Sequence, residues 1–162
     1  MPKPFTKPAL RLASFFLPER IQEFLLPSFC KPLRNQLCGA LTDQFLELLL
    51  RGMEVTFALS KSYRRNIEAF RATYVFKTRD GTVGVSAVFD NGNMTVDPQA
   101  RPTWDTLVTY KDAPALSSYL LSQDQDTLDS ILAASVEVEG NLNNIYKYGY
   151  LVRDLMRRLG VA

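Results

Sequence analysis

Between residues 70 and 111 the apolar positions recur at every second residue, which is the period of a half-buried β-strand. Asp80-Gly81 and the segment 90–93 interrupt this alternation with residues typical of tight hairpin turns. The pattern predicts a meander of three strands, and a fourth strand over 103–111 after a loop at 98–102. The inward positions of the first three strands are Phe70, Ala72, Tyr74, Phe76, Val83, Val85, Ala87, Phe89, Met94 and Val96. The prominent apolar residues of the fourth are Trp104, Val108 and Tyr110.

The segment before these strands has the three-to-four-residue spacing of helices. A short helix is predicted to begin at Pro18 and to end at Pro27. A longer helix is predicted from near Pro32, with Gly52 as its C-terminal cap. Residues 53–66 fit both periods. The run Val55-Thr56-Phe57 favours a strand, whereas Val55, Leu59 and Tyr63 would share one face of a helix. We favour the helix. The apolar positions that define the longer helix are Leu33, Leu37, Leu41, Phe45, Leu48 and Leu49.

The last third of the chain changes its period twice. The predicted elements are short helices over 115–121 and 124–132, a strand over 135–139 and a helix over 142–159. Val136 and Val138 are predicted to face inward from the strand. Gly140 breaks that strand, and Asn141 is a suitable N-cap for the final helix. The inward face of this helix is predicted to be Ile145, Tyr148, Val152, Leu155 and Leu159.

This order of elements predicts an α+β fold, in which helices cover a curved, mainly antiparallel sheet of about five strands. The length of 162 residues suits one domain with its own core. We expect a helical N-terminal extension over 1–66 and one folding unit, the principal domain, over 67–162. Prolines interrupt the N-terminal segment, and the sequence contains no run of about 20 apolar residues, so neither a signal peptide nor a spanning helix is predicted.

The composition argues against most catalytic chemistry. The chain has no histidine, which removes the commonest general base and the commonest metal ligand. Cys30 and Cys38 match no metal or redox spacing, and phosphate-loop, dinucleotide and nucleophile-elbow motifs are absent. We therefore expect a non-enzymatic protein of the reducing cytoplasm with no catalytic residue, metal or cofactor. A net charge of +2 does not indicate a nucleic-acid partner.

Polar and aromatic clusters leave some alternatives open. Glu137 and Glu139 share one strand face, which is usually the solvent face of a sheet. An enzymatic interpretation would depend on Tyr110, Asp105 and Glu137. Basic residues at 61–65 and in the last turns of the final helix suit a solvated helix end or an anionic lipid surface. The three tyrosines within 146–150 cannot share one helical face, so at least one is expected to be partly exposed.

The C-terminal third carries a resemblance to a known family. An apolar helix at 126–132 is followed by an amphipathic strand that ends in Glu139-Gly140-Asn141, and then by a second apolar helix. This order resembles the sterol carrier protein type 2 domain, over about residues 68–160. Asn141 stands where that family usually has an acidic residue. The leucine-rich helix at 33–41 also looks like that of bacterial ubiquinone-biosynthesis accessory proteins, which carry the same domain.

The resemblance implies a hydrophobic tunnel between the sheet and its helices. It implies binding or transfer of a lipid-like ligand of the sterol, fatty acyl or polyprenyl and quinone type. The expected tunnel walls are Tyr74, Phe76, Val85, Phe89, Val108, Tyr110, Val152 and Leu155. The alternative is an interaction or accessory module with a filled core, which docks an enzyme complex and binds no ligand. A peripheral membrane contact, a protein partner and a homodimer all stay open.

Overall fold

The computed structural model describes residues 42–112, Ala115 and residues 136–160, so the helices expected before residue 42 and over 116–132 lie outside the described residues. The described elements are helix α1 (Thr42–Leu59), helix α2 (Lys61–Arg64), a 3₁₀ turn (Arg65–Ile67), strands β1 (Arg71–Thr78), β2 (Gly84–Asp90), β3 (Asn93–Asp97), β4 (Thr106–Tyr110) and β5 (Val136–Gly140), and helix α3 (Leu142–Leu159).

The strands form one five-stranded sheet in the order β3-β2-β1-β4-β5. Three neighbouring pairs are antiparallel, and β1 and β4 in the centre are parallel. A parallel pair needs a long crossover connection, and here the chain makes two further strands between β1 and β4. The predicted α+β class with a mainly antiparallel sheet is confirmed.

The alternation seen in the sequence sets which sheet face is buried in the core. Phe76 lies opposite Val85 on β2 and opposite Val108 on β4, so these three side chains form one row across the sheet. The tight turn between β2 and β3 uses Asn91 and Gly92, both with positive φ (44° and 84°), as a two-residue hairpin of this hand requires. Helices α1 and α3 pack on this face, α1 against β2 and β3 and α3 against β4.

The expected helical cap at Gly52 is wrong. Helix α1 continues through this buried glycine to Leu59, and the Thr56 hydroxyl donates to the Gly52 carbonyl at 2.7 Å inside the helix. The helix ends instead at Leu59, and the hydroxyl of the next residue, Ser60, accepts the Tyr63 amide as the N-cap of α2. Gly52 and Met53 are both buried, and this packing keeps the helix continuous through the glycine. The helical interpretation of 53–66 is confirmed.

The fourth strand is shorter than expected. It begins at Thr106, and Trp104 lies before it with 37% of its surface exposed. The Asp105 carboxylate, rather than a backbone carbonyl, accepts the Thr73 amide at 2.7 Å. This side-chain bond takes the place of the next bond of the β-ladder, so regular pairing starts one residue later.

The final helix has the predicted bounds and the predicted cap. The Asn141 side chain accepts the Asn143 amide at 3.0 Å, and Gly160 closes the other end with a φ of 68°.

The opposite face of the sheet is covered in part by the loop after β3. There the Ser86 hydroxyl donates to the Gln99 carbonyl and accepts the Arg101 amide.

Candidate functional site

All eight residues expected to form tunnel walls lie in one buried apolar cluster, so the structure brings them together. Six of them project from one face of β1, β2 and β4, and Val152 and Leu155 reach the same layer from α3. Each is at most 2% exposed. Both a tunnel wall and an ordinary core would bury these eight residues in this way. Contact between them and a ligand therefore stays a prediction.

A small cavity lies between α3 and the β4–β5 side of this cluster. Its volume is about 10 Å³, measured as the space open to the centre of a water molecule. That is room for about one water. The lining residues are Phe76, Val108, Tyr110, Val136, Val138, Ile145 and Tyr148. No charged side chain is among them, so the described cavity is suited to an apolar guest.

The cavity includes only part of the expected wall. Phe76, Val108 and Tyr110 line it, whereas the other five expected residues pack elsewhere in the core. Those five are Tyr74, Val85, Phe89, Val152 and Leu155. The sequence interpretation missed the remaining lining residues as site residues: Val136, Val138, Ile145 and Tyr148. The alternation of β5 and the period of α3 had marked them as inward, and a search for where those two patterns meet would have found the site.

Aromatic rings form one wall of the cavity. The Tyr148 ring lies 4.9 Å from that of Phe76 and 5.8 Å from that of Tyr74. Tyr74 and Phe76 are almost parallel, and Phe89 meets Tyr74 edge-on at 5.5 Å. Offset and edge-to-face contacts of this kind contribute about 0.5–1.5 kcal/mol each beyond burial. This wall is therefore the rigid side of the cavity.

A short polar network fixes the first turn of α3 over the sheet. The Tyr74 hydroxyl donates to the backbone carbonyl of Asn144 at 2.8 Å, and the side-chain amide of Asn144 donates to the Thr106 hydroxyl at 2.8 Å. Burial, and to a smaller extent the charge of Asp105, raises the pKa of Tyr74 well above its usual value. The phenol therefore stays a neutral donor, and the network holds α3 at one end of the cavity.

A second anchor holds the other half of α3. The Tyr63 hydroxyl donates to the Leu151 carbonyl at 2.7 Å, and its ring stacks on Phe57 at 4.2 Å. The buried Asp154 carboxylate accepts from Arg157 and Arg158 at 2.6 and 2.9 Å. Burial raises the pKa of Tyr63, and the charge of Asp154 adds to that rise. Helix α3 is thus anchored on both sides of the cavity.

Among the described residues that line the cavity, those of strand β5 include the least buried one, Val138. Strand β5 is the outermost strand of the described sheet, it is hydrogen-bonded to β4, and of its five residues only Val136 is fully buried. Outward movement of such an edge exposes little apolar surface compared with movement of α3. Enlargement of the cavity would therefore come most readily from the β5 side.

The residues considered for catalysis do not converge. Tyr110 lies at the cavity with 1% exposure, whereas Glu137 is on the other face of β5 and pairs with Arg79. Asp105 precedes the opposite end of β4 and is occupied by the Thr73 amide. The lowered pKa of Asp80, which follows from hydrogen bonds of Thr78 and Thr82, belongs to the exposed hairpin turn.

Among the described residues, no group of three or more acidic or cysteine side chains is placed to hold a metal ion. Within the same ranges, no helix has the length and apolar character required to cross a bilayer.

Comparison with known protein families and with curated proteins finds no match to this sequence. Solved structures do match. A structure titled "UbiJ-SCP2 Ubiquinone synthesis protein" shares 18% identity at a TM-score of 0.51, over 70% of this chain and 94% of that one. A double mutant of the sec-alkyl sulfatase PisA1 shares 18% identity at a TM-score of 0.50, over 69% of this chain and 16% of that enzyme.

The sterol carrier protein domain 2 of Helicoverpa armigera is also similar, with 17% identity and a TM-score of 0.48 over 70% of this chain and 87% of that domain. The property shared at these identities is the fold. The predicted resemblance to the sterol carrier protein type 2 domain is confirmed at that level, and one neighbour is the kind of ubiquinone-related protein that the sequence also resembles.

Proposed function

We propose that this chain is a non-enzymatic cytoplasmic protein that binds or transfers a hydrophobic, lipid-like ligand between α3 and the β4–β5 edge. The observation that supports this most is the cavity at that position, which is lined without any charged side chain in a fold of the sterol carrier type. The ligand class is sterol, fatty acyl chain, or polyprenyl and quinone. No cofactor is required.

The energetics of such binding need only an apolar space. Each methylene moved from water into an apolar site contributes about 0.8 kcal/mol, so a chain of roughly ten methylenes contributes about 8 kcal/mol before the costs of ordering. A bilayer gives a similar gain, which makes exchange between the protein and a membrane almost neutral. Tyr110 and Tyr148 are the two residues of the cavity lining whose side chains carry a polar atom.

The described cavity is too small for such a ligand, and binding requires it to grow. Drug-sized ligands occupy pockets of about 300–1,000 Å³, far more than the cavity holds. The proposal therefore includes an outward movement of β5, with α3 held in place by the Asn144 and Tyr63 anchors. The free energy of opening is subtracted from the gain of burial, which favours long, flexible ligands over compact ones.

The small size of the cavity also favours a second candidate function. A core with space for one water is also what an interaction module with no ligand would have. Such a protein would dock an enzyme complex and would bind no lipid.

One experiment separates the two candidates. The purified protein is extracted with organic solvent for mass spectrometry of its lipids, and a delipidated sample is titrated with a fluorescent long-chain fatty acid and a fluorescent sterol. We expect a saturable one-to-one complex with micromolar affinity or better for at least one probe. Absence of lipid in the extract together with no saturable binding would refute the carrier function and leave the docking module.

A further inference from the structure

The outer side of α3 combines apolar and basic residues in one stripe. Leu142, Tyr146, Tyr150, Arg153 and Arg157, hereafter the outer stripe, follow one another at spacings of three or four residues and therefore share one helical face. The first three are unusually exposed for apolar side chains, at 52%, 59% and 52%. Exposed apolar residues in contiguous order mark interaction surfaces more often than isolated ones do.

The charge around the outer stripe is mainly positive, with the exposed Glu68 at the end of the 3₁₀ turn as an acidic neighbour. None of its members is acidic, and Asp154 beside it is buried and paired with two arginines. Helix α2 and the 3₁₀ turn border the same side, because Arg158 donates to Ser62 and Tyr150 reaches Asn66 at 3.5 Å. The basic residues of this combined surface are Lys61, Arg64, Arg65, Lys147, Arg153, Arg157 and Arg158.

The surface is held in a defined shape. Tyr63 of α2 is buried under Arg158, whose guanidinium lies 5.3 Å from its ring, and it is bonded to the α3 backbone. Lys147 lies 5.8 Å from the rings of both Phe70 and Tyr150. Lys147, Tyr150 and Arg158 are therefore positioned by contacts within the protein.

We propose that the outer stripe docks on the surface of an anionic lipid bilayer. An interfacial helix of this type places aromatic and leucine side chains at the headgroup level and basic residues against acidic headgroups. A second copy of the chain fits less well, because a twofold contact through this surface would bring like charges together. Single-stranded RNA could use the tyrosines and arginines but would leave Leu142 without a role.

This proposal goes beyond ligand binding and is tested without any ligand. The full chain is sedimented with vesicles of phosphatidylcholine alone and with vesicles that contain phosphatidylglycerol. We expect binding to the second kind only, and we expect it to weaken as salt is raised, because the basic residues are exposed. The acyl-chain titration uses no vesicles, so failure of either experiment leaves the other result standing.

Two sets of variants separate the contribution of the basic residues to vesicle binding from that of the exposed tyrosines. Each basic residue near an anionic surface is worth about fivefold in partitioning, so Arg65→Gln with Arg153→Gln should reduce binding about 30-fold. Tyr146→Ser with Tyr150→Ser should reduce binding about tenfold or more and should leave its salt dependence in place. The matched control is Arg71→Gln with Lys77→Gln, which removes the same two positive charges from the outer face of β1. The lower net charge of this control should change vesicle binding by less than twofold.

Three outcomes would overturn the proposal. The first is no binding to phosphatidylglycerol vesicles by the folded wild-type chain. The second is an equal loss in the control pair, which would show that only net charge matters. The third is displacement of the protein from vesicles by poly(U) at equal phosphate concentration, which would assign the surface to single-stranded nucleic acid.

Discussion

Replacement of Val138 by tryptophan should reduce acyl-chain binding by at least tenfold. Val138 lies on the β5 side of the cavity, opposite Val108 in the β-ladder, and is only partly buried. An indole at this position would fill the space that a ligand needs, and its outer edge can lie toward solvent. We expect a cost to folding of about 1–3 kcal/mol from overpacking, which leaves a folded protein for the titration.

The matched control is Val88→Trp. Val88 is also a half-buried valine of the same sheet, but it lies opposite Thr73 and Thr95 on the face away from the cavity. Its affinity for the fluorescent fatty acid should stay within about twofold of the wild type. Equal affinities of the Val138→Trp and wild-type proteins would place the ligand elsewhere. Equal loss in both variants would show that the effect is not local to the cavity.

Gly140→Ala should lower the free energy of unfolding by about 3–5 kcal/mol. Gly140 joins β5 to α3 with a φ of 97°, which favours glycine. A Cβ there would lie 2.2 Å from the Asp105 carbonyl oxygen, a backbone atom that also accepts the Asn141 amide. The methyl group would therefore separate the start of α3 from the start of β4.

Gly81→Ala separates the two causes of this effect. Gly81 also has a positive φ, of 74°, but a Cβ there would meet no atom within 4 Å. Its substitution should cost about 1–2 kcal/mol from the backbone conformation alone. Urea unfolding followed by circular dichroism measures both values. If Gly140→Ala lowered the free energy of unfolding no more than Gly81→Ala does, the close approach of the new Cβ to the Asp105 carbonyl would not contribute to the loss of stability.

The strands and the final helix could be predicted because local chemistry determines them. The alternation over 70–97 and the Asn91-Gly92 turn define the hairpins without help from distant residues. Helix α3 has a capping asparagine, a stripe of apolar residues and a closing glycine, and all three signals are local. Exposure of at least one tyrosine in 146–150 was predicted, and both Tyr146 and Tyr150 are exposed.

Other features depend on contacts that a sequence pattern does not contain. Gly52 is buried against the rest of the molecule, so its neighbours continue as a helix instead of ending there. The start of β4 depends on the bond between Asp105 and Thr73, which lie far apart in the chain. The cavity forms where α3 packs over β1, β4 and the edge strand β5, and only the order of strands in space reveals that position. The division of the chain at residue 66 stays a prediction.

The central claim is that an apolar ligand binds between α3 and the β4–β5 edge. Photolabelling tests it most directly: delipidated protein is equilibrated with palmitic acid that carries a diazirine, irradiated, digested and mapped by mass spectrometry. We expect adducts concentrated in 106–110, 136–138 and 145–148, and we expect unlabelled palmitic acid to suppress them. Adducts that spread over the surface and resist competition, or that concentrate on the Val88 face of the sheet, would contradict this claim.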